Sequence, residues 1–368
     1  MKAFIFKVIL FTIPVCVMFA PPLAVFIISG EYLPISAVIE RQRMDPSVLY
    51  MSRFTSDTDR PLKLLATITK NPDILVLGSS KTLTIKSDFF DNHSFYNAGY
   101  PANAAINVED LSDYMLNLPV ESNLKVILID LSGFLTDSPG SPPVSTMKYE
   151  PLKLFLATGW RDIYKDYFAG RLPVDEFISA SKQNNNIGLR AMLLTSGYRS
   201  DGSWQRGPAE IKKGIQNMPA DISRVVSSIN GDQISVPFYT PSLSSENIAS
   251  LERFLAICKS RNIYVIGYFS PYPSEIYQAM ESLQNASGTA FRKSPAILRD
   301  IFQKQNYDFY DLRDVSTIKS SDKEFYDFGH PSEKGSVRIL TFLANKEPKL
   351  MSYLDVTTLK NKLATEPL

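Results

Sequence analysis

Histidine and cysteine are the scarcest reactive residues in this sequence of 368 residues, which contains only two of each. Cys16 lies in an apolar N-terminal stretch, so Cys258 is the single cysteine in the remainder of the chain. A disulfide framework and a cysteine-based zinc site are therefore excluded. Any chemistry that depends on histidine has two candidates, His93 and His330.

An excess of either charge is also missing, because 39 Lys and Arg residues stand against 38 Asp and Glu residues. Proteins that bind nucleic acid need a basic excess or a basic stripe to neutralise phosphates, and neither is visible here. The segment Gly78-Ser-Ser-Lys-Thr82 lacks the earlier glycine and the Gly-Lys pair of a phosphate-binding loop. We therefore predict no nucleic-acid partner and no cofactor.

Charge is absent altogether from Val8 to Ile28, a run of 21 residues that would be about 31 Å long as a helix. This length matches the hydrocarbon core of a bilayer. Lys2 and Lys7 precede the run and Glu31 follows it, so the positive-inside rule places the N-terminus in the cytoplasm and the body outside it. The run predicts a single-pass membrane anchor.

A cleaved signal peptide is the alternative interpretation of the same run. Its apolar stretch would be long for a signal peptide, and Ser29-Gly30 is only a weak cleavage site. A retained anchor is the favoured prediction.

Four short apolar runs, bounded by turn residues or separated by helical patterns, predict strands that are buried on both faces. They are Asp73–Gly78, Val126–Leu131, Ile263–Phe269 and the weaker Tyr307–Leu312. Segments with helical periodicity lie between them. This alternation predicts an α/β fold, a three-layer α/β/α sandwich around a mainly parallel sheet.

The predicted organisation has four parts and one insertion. The parts are an anchor (1–30), a linker with a leading helix (31–70), the α/β domain (71–346) and a C-terminal tail (347–368). The insertion, at about 137–241, interrupts the alternation of strands and helices. We interpret it as a cap near the C-terminal edge of the sheet.

The first predicted strand ends in Gly78-Ser79-Ser80, which places a serine on a tight turn before the next helix. A hydroxyl at such a turn can be reached by substrate, and backbone N–H groups at a helix start can stabilise an oxyanion. Serines at these turns also commonly cap helices, and this simpler role remains open for both residues.

A serine nucleophile needs a base, and His330 is the better placed of the two histidines. Asp327 precedes it by three residues on the same loop and could hold one imidazole nitrogen while the other faces the serine. His93 lies instead in a polar turn at the start of a strand. Asp130, Asp311, Asp327 and His330 could alternatively converge on a metal ion, but their spacing matches no metal signature, so we predict none.

These residues carry a resemblance to a known family. Gly78-Ser79-Ser80, then Asn97-Ala-Gly-Tyr-Pro-Ala102, then Asp327-x-x-His330 occur in the order found in the SGNH (GDSL-like) hydrolase superfamily. The chain most resembles membrane-anchored members that modify bacterial envelope polysaccharides, such as the alginate O-acetylation proteins and the D-alanyl transfer protein of teichoic acids. The resemblance covers most of residues 71 to 345 and implies a flavodoxin-like sheet.

The resemblance implies a role for each matching residue. Ser80 would be the nucleophile, His330 the base and Asp327 the residue that orients it. The oxyanion would be bound by the backbone N–H groups of Ser80 and Ala102. Gly99, in the same segment as Ala102, is also expected at the oxyanion or substrate-binding site.

The sequence departs from the family pattern at two positions. Ala102 stands where the family usually has glycine, a change that keeps the backbone N–H. Phe134 stands where the third family block has an asparagine, and losing one oxyanion donor can cost about 3 kcal/mol of transition-state stabilisation. Asn103, on the helix predicted to begin at Pro101, is a possible substitute.

The expected function is an extracytoplasmic serine esterase or O-acyltransferase on the bacterial inner membrane. It would act on an O-acyl group, expected to be acetyl, of an envelope or exported polysaccharide. The alternative is a catalytically degenerate module that binds polysaccharide or serves as a scaffold for a membrane-bound O-acyltransferase partner.

Overall fold

The structure is a computed structural model that describes residues 1–53, 59–99, 108–132, 149–231 and 245–365. Its strands are β1 (Ile74–Leu77), β2 (Phe95–Asn97), β3 (Val126–Asp130), β4 (Gly197–Tyr198), β5 (Trp204–Gln205), β6 (Tyr264–Phe269) and β7 (Asp308–Asp311). Five of them form one sheet in the order β2-β1-β3-β6-β7, and every neighbouring pair is parallel. The predicted α/β class and the predicted parallel sheet are confirmed.

Helices account for most of the remaining described chain. They are α1 (Lys2–Ile28), α2 (Ile35–Met44), α3 (Asp59–Lys70), α4 (Val108–Asn117), α5 (Pro151–Leu154), α6 (Trp160–Phe168), α7 (Val174–Gln183), α8 (Leu189–Leu194), α9 (Pro208–Asn230), α10 (Ser245–Ser260), α11 (Ser274–Ser282), α12 (Ala286–Gln303), α13 (Glu333–Lys346), α14 (Pro348–Met351) and α15 (Val356–Ala364). A π-helical turn, Phe155–Gly159, joins α5 to α6.

The strand order is the one found in flavodoxin-like sheets, in which ligands bind beyond the carboxyl ends of the strands. The four predicted apolar runs coincide with β1, β3, β6 and β7. β2 was not among them because it is only three residues long, too short for a recognisable apolar run. The register pairs Ile74 with both Phe95 and Val126, so β1 is a central strand with a neighbour on each side.

The chain divides into two compact units. Unit 1 comprises Met1–Thr58, Lys148–Ser200 and Gln205–Gly207, and unit 2 comprises Asp59–Met147, Asp201–Trp204 and Pro208–Leu368. The five-stranded sheet belongs to unit 2. Part of the predicted insertion therefore joins the N-terminal residues in unit 1.

The core of unit 2 contains strand residues that are completely buried. Val76 of β1 and Leu128 of β3 belong to one apolar cluster with Val337 and Leu340 of α13. Burying large aliphatic side chains against a central sheet is the main source of stability for such a domain. The helix that follows His330 is thereby held against the sheet.

The core of unit 1 joins the end of α1 to the helices that follow β3. Its members are Phe26, Phe155, Ile163, Leu172, Phe177, Leu189 and Met192. The Phe26 and Phe155 rings stack with their centroids 4.6 Å apart.

The N-terminal helix agrees in part with the predicted anchor. Its segment Phe4–Ile28 has 25 residues and a mean hydropathy of 2.3, so it is long and apolar enough to cross a membrane. A signal sequence has the same properties.

Candidate active site

Ser80 stands at the carboxyl end of β1, where Gly78 turns the chain into a short 3-10 helix, Ser80–Thr82. Gly78 has a φ of +143°, a backbone conformation that residues other than glycine rarely adopt. A Cβ atom there would lie 2.7 Å from the Cβ of Asp130 and 2.8 Å from the Cγ2 of Thr82. The glycine therefore allows the close approach of β1 to β3 that presents Ser80 at this edge of the sheet.

The side chain of Ser80 meets His330, although 250 positions separate them in the sequence. The Oγ of Ser80 and the Nε2 of His330 are 2.8 Å apart. The Nδ1 of His330 lies 2.7 Å and 2.9 Å from the two carboxylate oxygens of Asp327. Because a carboxylate can only accept, Nδ1 carries the proton, and Nε2 is free to accept the hydroxyl proton of Ser80.

The three-residue spacing of Asp327 and His330 produces a tight turn around the carboxylate. One oxygen of Asp327 accepts hydrogen bonds from the backbone N–H groups of Gly329 at 2.9 Å and His330 at 3.0 Å. The same oxygen faces the imidazole. The carboxylate is thus fixed by the backbone of its own loop and can in turn fix the orientation of the ring.

The loop is closed by pairing at its base. The backbone N–H of Tyr326 donates to the carbonyl of His330 at 2.9 Å, and Phe325 pairs with Pro331. Ser332 then caps α13 by accepting from the backbone N–H of Gly335 at 3.2 Å. His330 therefore stands on a short, anchored connection just before a buried helix.

Solvent reaches this group of side chains. The side chain of His330 is 28% exposed and that of Asp327 is 20% exposed. A hydroxyl hydrogen-bonded to an oriented imidazole can lose its proton to that base as it attacks a carbonyl carbon. The arrangement can therefore support nucleophilic acyl chemistry on a substrate that approaches from solvent.

Ser79 has different partners from Ser80. Its hydroxyl donates to a carboxylate oxygen of Asp130 at 2.7 Å. The other oxygen of Asp130 accepts from the hydroxyl of Ser132 at 2.6 Å and from the backbone N–H of Ser270 at 3.1 Å. Asp130 is completely buried, so this carboxylate ties the ends of β1, β3 and β6 together.

Lys81 directly follows Ser80, and its side chain is buried. Its Nζ lies 3.4 Å from the centroid of the Tyr272 ring and 3.4 Å from the carbonyl oxygen of Pro271. Burial lowers the pKa of Lys81 to about 7, although the carboxylate of Asp130 acts in the opposite direction. A basic group that titrates near neutrality thus lies one residue from Ser80.

Gly99, expected in the oxyanion segment, lies beside the turn that carries Ser80. Its backbone N–H donates to the side-chain oxygen of Asn97 at 2.9 Å. The amide of Asn97 donates to the carbonyls of Thr82 and Ile85, each at 2.8 Å. A Cβ atom on Gly99 would collide with the Thr82 hydroxyl, so only glycine allows the backbone at position 99 to lie this close to Thr82.

Two further residues expected in oxyanion binding lie outside the described residues. These are Ala102 and Asn103, and the same applies to Phe134, at the position of the missing asparagine. Their roles stay predictions.

The remaining residues considered from sequence are placed apart from Ser80 or have other partners. The ring of His93 packs against Tyr353, with centroids 4.6 Å apart. Asp311 forms a two-pronged ion pair with Arg313, at 2.7 Å and 2.8 Å. Over the described ranges, no group of three or more His, Cys, Asp or Glu side chains is arranged to hold a metal ion.

Sequence reasoning did not identify the roles of Lys81 and Asp130 at this edge. A signal for Lys81 exists in its position, since it is a lone charge between the apolar β1 and the apolar Leu83 and Ile85. A lysine in that setting has to be either buried or turned out to solvent, and sequence does not distinguish the two. The sequence suggested Asp130 only as a candidate metal ligand, because two of its partners, Ser79 and Ser270, belong to segments that are distant from it in the chain.

Comparison with known proteins adds no family to this geometry: no protein-family model matches the chain, and no curated protein matches it significantly.

Proposed function

We propose that this protein is an SGNH-type serine esterase or O-acyltransferase. The observation that carries the proposal is the chain of hydrogen bonds from the Ser80 hydroxyl through the His330 imidazole to the Asp327 carboxylate, at 2.8 Å and 2.7 Å. A serine, a histidine and an aspartate linked in this order are the working parts of serine acyl-transfer enzymes on several unrelated folds.

In the proposed reaction, His330 Nε2 removes the hydroxyl proton of Ser80 as Oγ attacks the acyl carbonyl carbon of the substrate. The carbonyl oxygen becomes an oxyanion in the tetrahedral intermediate. Collapse of that intermediate breaks the ester bond, and the imidazolium gives its proton to the departing alcohol oxygen. The product of this half-reaction is an acyl ester on Ser80.

The second half-reaction transfers the acyl group to an acceptor hydroxyl. His330 removes the proton of that hydroxyl, whose oxygen attacks the acyl-serine carbonyl, and then returns the proton to Ser80 Oγ. Water as the acceptor makes the protein an esterase, and a sugar hydroxyl makes it an O-acyltransferase. The acyl group is proposed to be acetyl, and the acceptor or donor an envelope or exported polysaccharide.

Stabilisation of the oxyanion is proposed to come from the backbone N–H groups of Ser80 and Ala102, with Asn103 replacing the asparagine that Phe134 displaces. Removing one such donor typically lowers kcat by about 10²–10³-fold. This part of the proposal rests on the sequence resemblance. Substitution of Asn103 by alanine tests it, and unchanged esterase activity would remove Asn103 from the site.

The proposed architecture is a three-layer α/β/α sandwich of the SGNH type, with part of the insertion acting as a cap. The proposed location is the bacterial inner membrane, with α1 as a retained single anchor and the body in the periplasm. An intact-mass measurement on the membrane fraction tests the anchor. A mass that corresponds to a chain beginning after residue 28 would show that a signal peptide has been cleaved.

A fluorophosphonate probe tests the chemistry on the full chain, because such probes bond covalently to activated serine hydroxyls. Labelling is expected at Ser80 and should vanish in Ser80→Ala. Ser79→Ala is the matched control, since it removes the neighbouring hydroxyl, which contacts Asp130 instead of His330. Labelling that survives Ser80→Ala would overturn the proposed nucleophile.

The second candidate function is a non-catalytic module that binds polysaccharide or a membrane-bound O-acyltransferase. Phe134 favours it, because the sequence lacks the asparagine of the third family block at that position. If wild-type protein takes up no probe and Ser80→Ala cells retain normal polysaccharide acylation, this second function replaces the first.

A further inference from the structure

The loop that carries Asp327 and His330 is contacted by α9, a long helix in the second half of the predicted insertion. We call residues 325 to 331 the histidine loop. α9 spans Pro208–Asn230 and belongs to unit 2, as do the histidine loop and Ser80. The contacts between α9 and the loop are therefore internal to the unit that contains the candidate active site.

Gly214 of α9 makes the closest of these contacts. A Cβ atom at this position would lie 2.4 Å from the carbonyl oxygen of Tyr326 and 3.8 Å from the Cβ of Asp327. A Cβ atom and a carbonyl oxygen do not approach closer than about 3.0 Å, so a side chain here would force the helix or the loop to move. α9 thus lies directly against the backbone of the residue that precedes Asp327.

The same glycine is unfavourable for the helix itself. α9 contains no other glycine, and in a helix interior glycine is less favourable than any residue except proline, because it loses more backbone freedom on folding. Alanine would stabilise an isolated helix at this position. The close approach to Tyr326 supplies the physical reason for a glycine here.

Phe328, in the middle of the histidine loop, makes the second contact. Its side chain packs against an apolar cluster to which α9 contributes Ile222, Val225 and Ile229. The cluster also contains residues of α11 and α12, which follow β6 in the chain. The loop is therefore held at two points, the carbonyl of Tyr326 and the side chain of Phe328.

One face of α9 carries the residues that lie towards the loop and the cluster. They recur at intervals of three or four positions, the spacing of a single helix face, and are Gly214, Met218, Ile222, Val225 and Ile229. Residues two positions apart on a helix do not face the same side. Gln216 is accordingly exposed, although it is only two residues from Gly214.

These contacts bear on the distance between the histidine loop and Ser80. The carboxylate of Asp327 accepts from backbone N–H groups of its own loop and from His330, so this pair moves with the loop as one body. Ser80 belongs to another segment, the turn after β1, and its Oγ is 2.8 Å from the Nε2 of His330. A displacement of the loop changes this distance and leaves the pairing of Asp327 with His330 intact.

We propose that α9 is a positioning element for the proposed reaction. Gly214 and the apolar face of α9 fix the place of the histidine loop, so that the Nε2 of His330 meets the hydroxyl of Ser80. Gly214 is a positioning residue, because it touches the loop and takes no part in the proton transfer. The inference rests on the proposed acyl chemistry and gives the part of the insertion in unit 2 a role in it.

Gly214→Ala in the full, untagged chain tests the proposal. The added Cβ requires a shift of about 0.6 Å to relieve its contact with the carbonyl of Tyr326. Because a misplacement of about 1 Å can cost about 10²-fold in rate, kcat/KM for p-nitrophenyl acetate should fall by about 10- to 10²-fold. Gln216→Ala is the matched control on the opposite side of α9, and its kcat/KM should equal that of the wild type.

Nuclear magnetic resonance of ¹⁵N-labelled histidine separates displacement of the loop from its unfolding. The chain has only two histidines, so in a His93→Gln background every imidazole signal comes from His330. In Gly214→Ala the Nε2 resonance should move towards its position in Ser80→Ala, while the Nδ1 resonance, which reports the pairing with Asp327, should stay in place. Phe328→Ala should give the same pattern, and it decides the question if Gly214→Ala does not fold, as judged by circular dichroism.

An unchanged Nε2 resonance, or an unchanged kcat/KM, in the folded Gly214→Ala protein overturns the proposal. A change in the Nδ1 resonance as large as that of Nε2 also overturns it, because the variant would then deform the loop instead of displacing it. If the wild type has no esterase activity and takes up no fluorophosphonate, the proposed function fails. The Nε2 resonance still reports whether α9 positions His330, so the two failures are distinguishable.

Discussion

Two groups of polar side chains meet at the carboxyl edge of the sheet, and neighbouring serines begin them. The Ser79 hydroxyl donates to Asp130, which is completely buried and accepts hydrogen bonds from three segments of the chain. Ser80 leads to His330 and Asp327, which are partly open to solvent. We call them the buried group (Ser79, Asp130, Ser132 and the Ser270 N–H) and the open group (Ser80, His330 and Asp327).

The two groups show that solvent exposure decides what a carboxylate beside a serine or histidine can do. A buried carboxylate that accepts several hydrogen bonds ties segments of the chain together, but substrate cannot reach it. A carboxylate that orients an exposed imidazole can act on a molecule from outside. The buried group should therefore govern stability and the open group should govern activity.

The largest expected effect is on activity, from His330→Gln. Without the base, the Ser80 hydroxyl keeps its proton, and kcat/KM for p-nitrophenyl acetate should fall by about 10⁴-fold or more. The free energy of unfolding should stay nearly constant because His330 is partly exposed.

His93→Gln is the matched control, since His93 packs on Tyr353 away from Ser80. Its activity should equal that of the wild type. Equal activity in both histidine variants would remove His330 from the chemistry.

Asp327→Asn should have the next largest effect, a loss of about 10³- to 10⁴-fold in kcat. An amide can offer its N–H to the imidazole and so stabilise the wrong tautomer, leaving Nε2 protonated. Urea denaturation should show a smaller change in stability than any substitution of Asp130. A variant that unfolds more readily than Asp130→Ala would contradict the division between the two groups.

Asp130→Ala should lower the free energy of unfolding by about 3 kcal/mol, measured in urea. The substitution leaves the hydroxyls of Ser79 and Ser132 and the backbone N–H of Ser132 without their buried acceptor, and each such loss typically costs about 1–3 kcal/mol. Asp327→Ala is the comparison, with an expected change below about 1 kcal/mol. A neutral result for Asp130→Ala would show that water replaces the carboxylate.

The smallest effect is a dependence of stability on pH from Lys81, which lies between the two groups. Its pKa is lowered from 10.5 to about 7 by burial, so the unfolded chain binds this proton more tightly than the folded chain. Below pH 7 the buried charge of Lys81 therefore lowers the free energy of unfolding by its full amount. This loss of stability becomes smaller as pH rises from 7 towards 10.5.

Lys81→Met should accordingly be more stable than the wild type at pH 6. The gain should shrink steadily between pH 7 and pH 10. Urea denaturation at several pH values measures it, with the exposed Lys182→Met as a control that should show no trend. A gain that is constant with pH would show that Lys81 is neutral or charged throughout.

The fold class could be predicted because it depends on local patterns. The runs ILVL in β1 and VILID in β3 are apolar enough to indicate strands buried on both faces. The short β2 and the division into two units could not be predicted in this way, since three residues carry no periodicity and unit 1 joins segments that are far apart in sequence.

The residues of the open group could be selected from sequence by type and spacing. Asp327 and His330 are three positions apart, which suffices for a local turn, and Ser80 follows a strand-ending glycine. The contact between Ser80 and His330 joins β1 to the loop before α13, and so it depends on the parallel sheet bringing both to one edge.

The sequence by itself determined the apolar N-terminal helix, the alternating strands and helices, and the short list of residues able to do acyl chemistry, because each is a property of neighbouring residues. Tertiary structure alone decided which serine meets the imidazole and which meets a buried carboxylate. It also decided that the side chain of Lys81 is buried and that Phe155 and Trp160 pack against α1. The physical reason is that hydrogen bonds, desolvation and side-chain packing act over a few ångströms in space, between residues whose separation in the chain is set only when the fold closes.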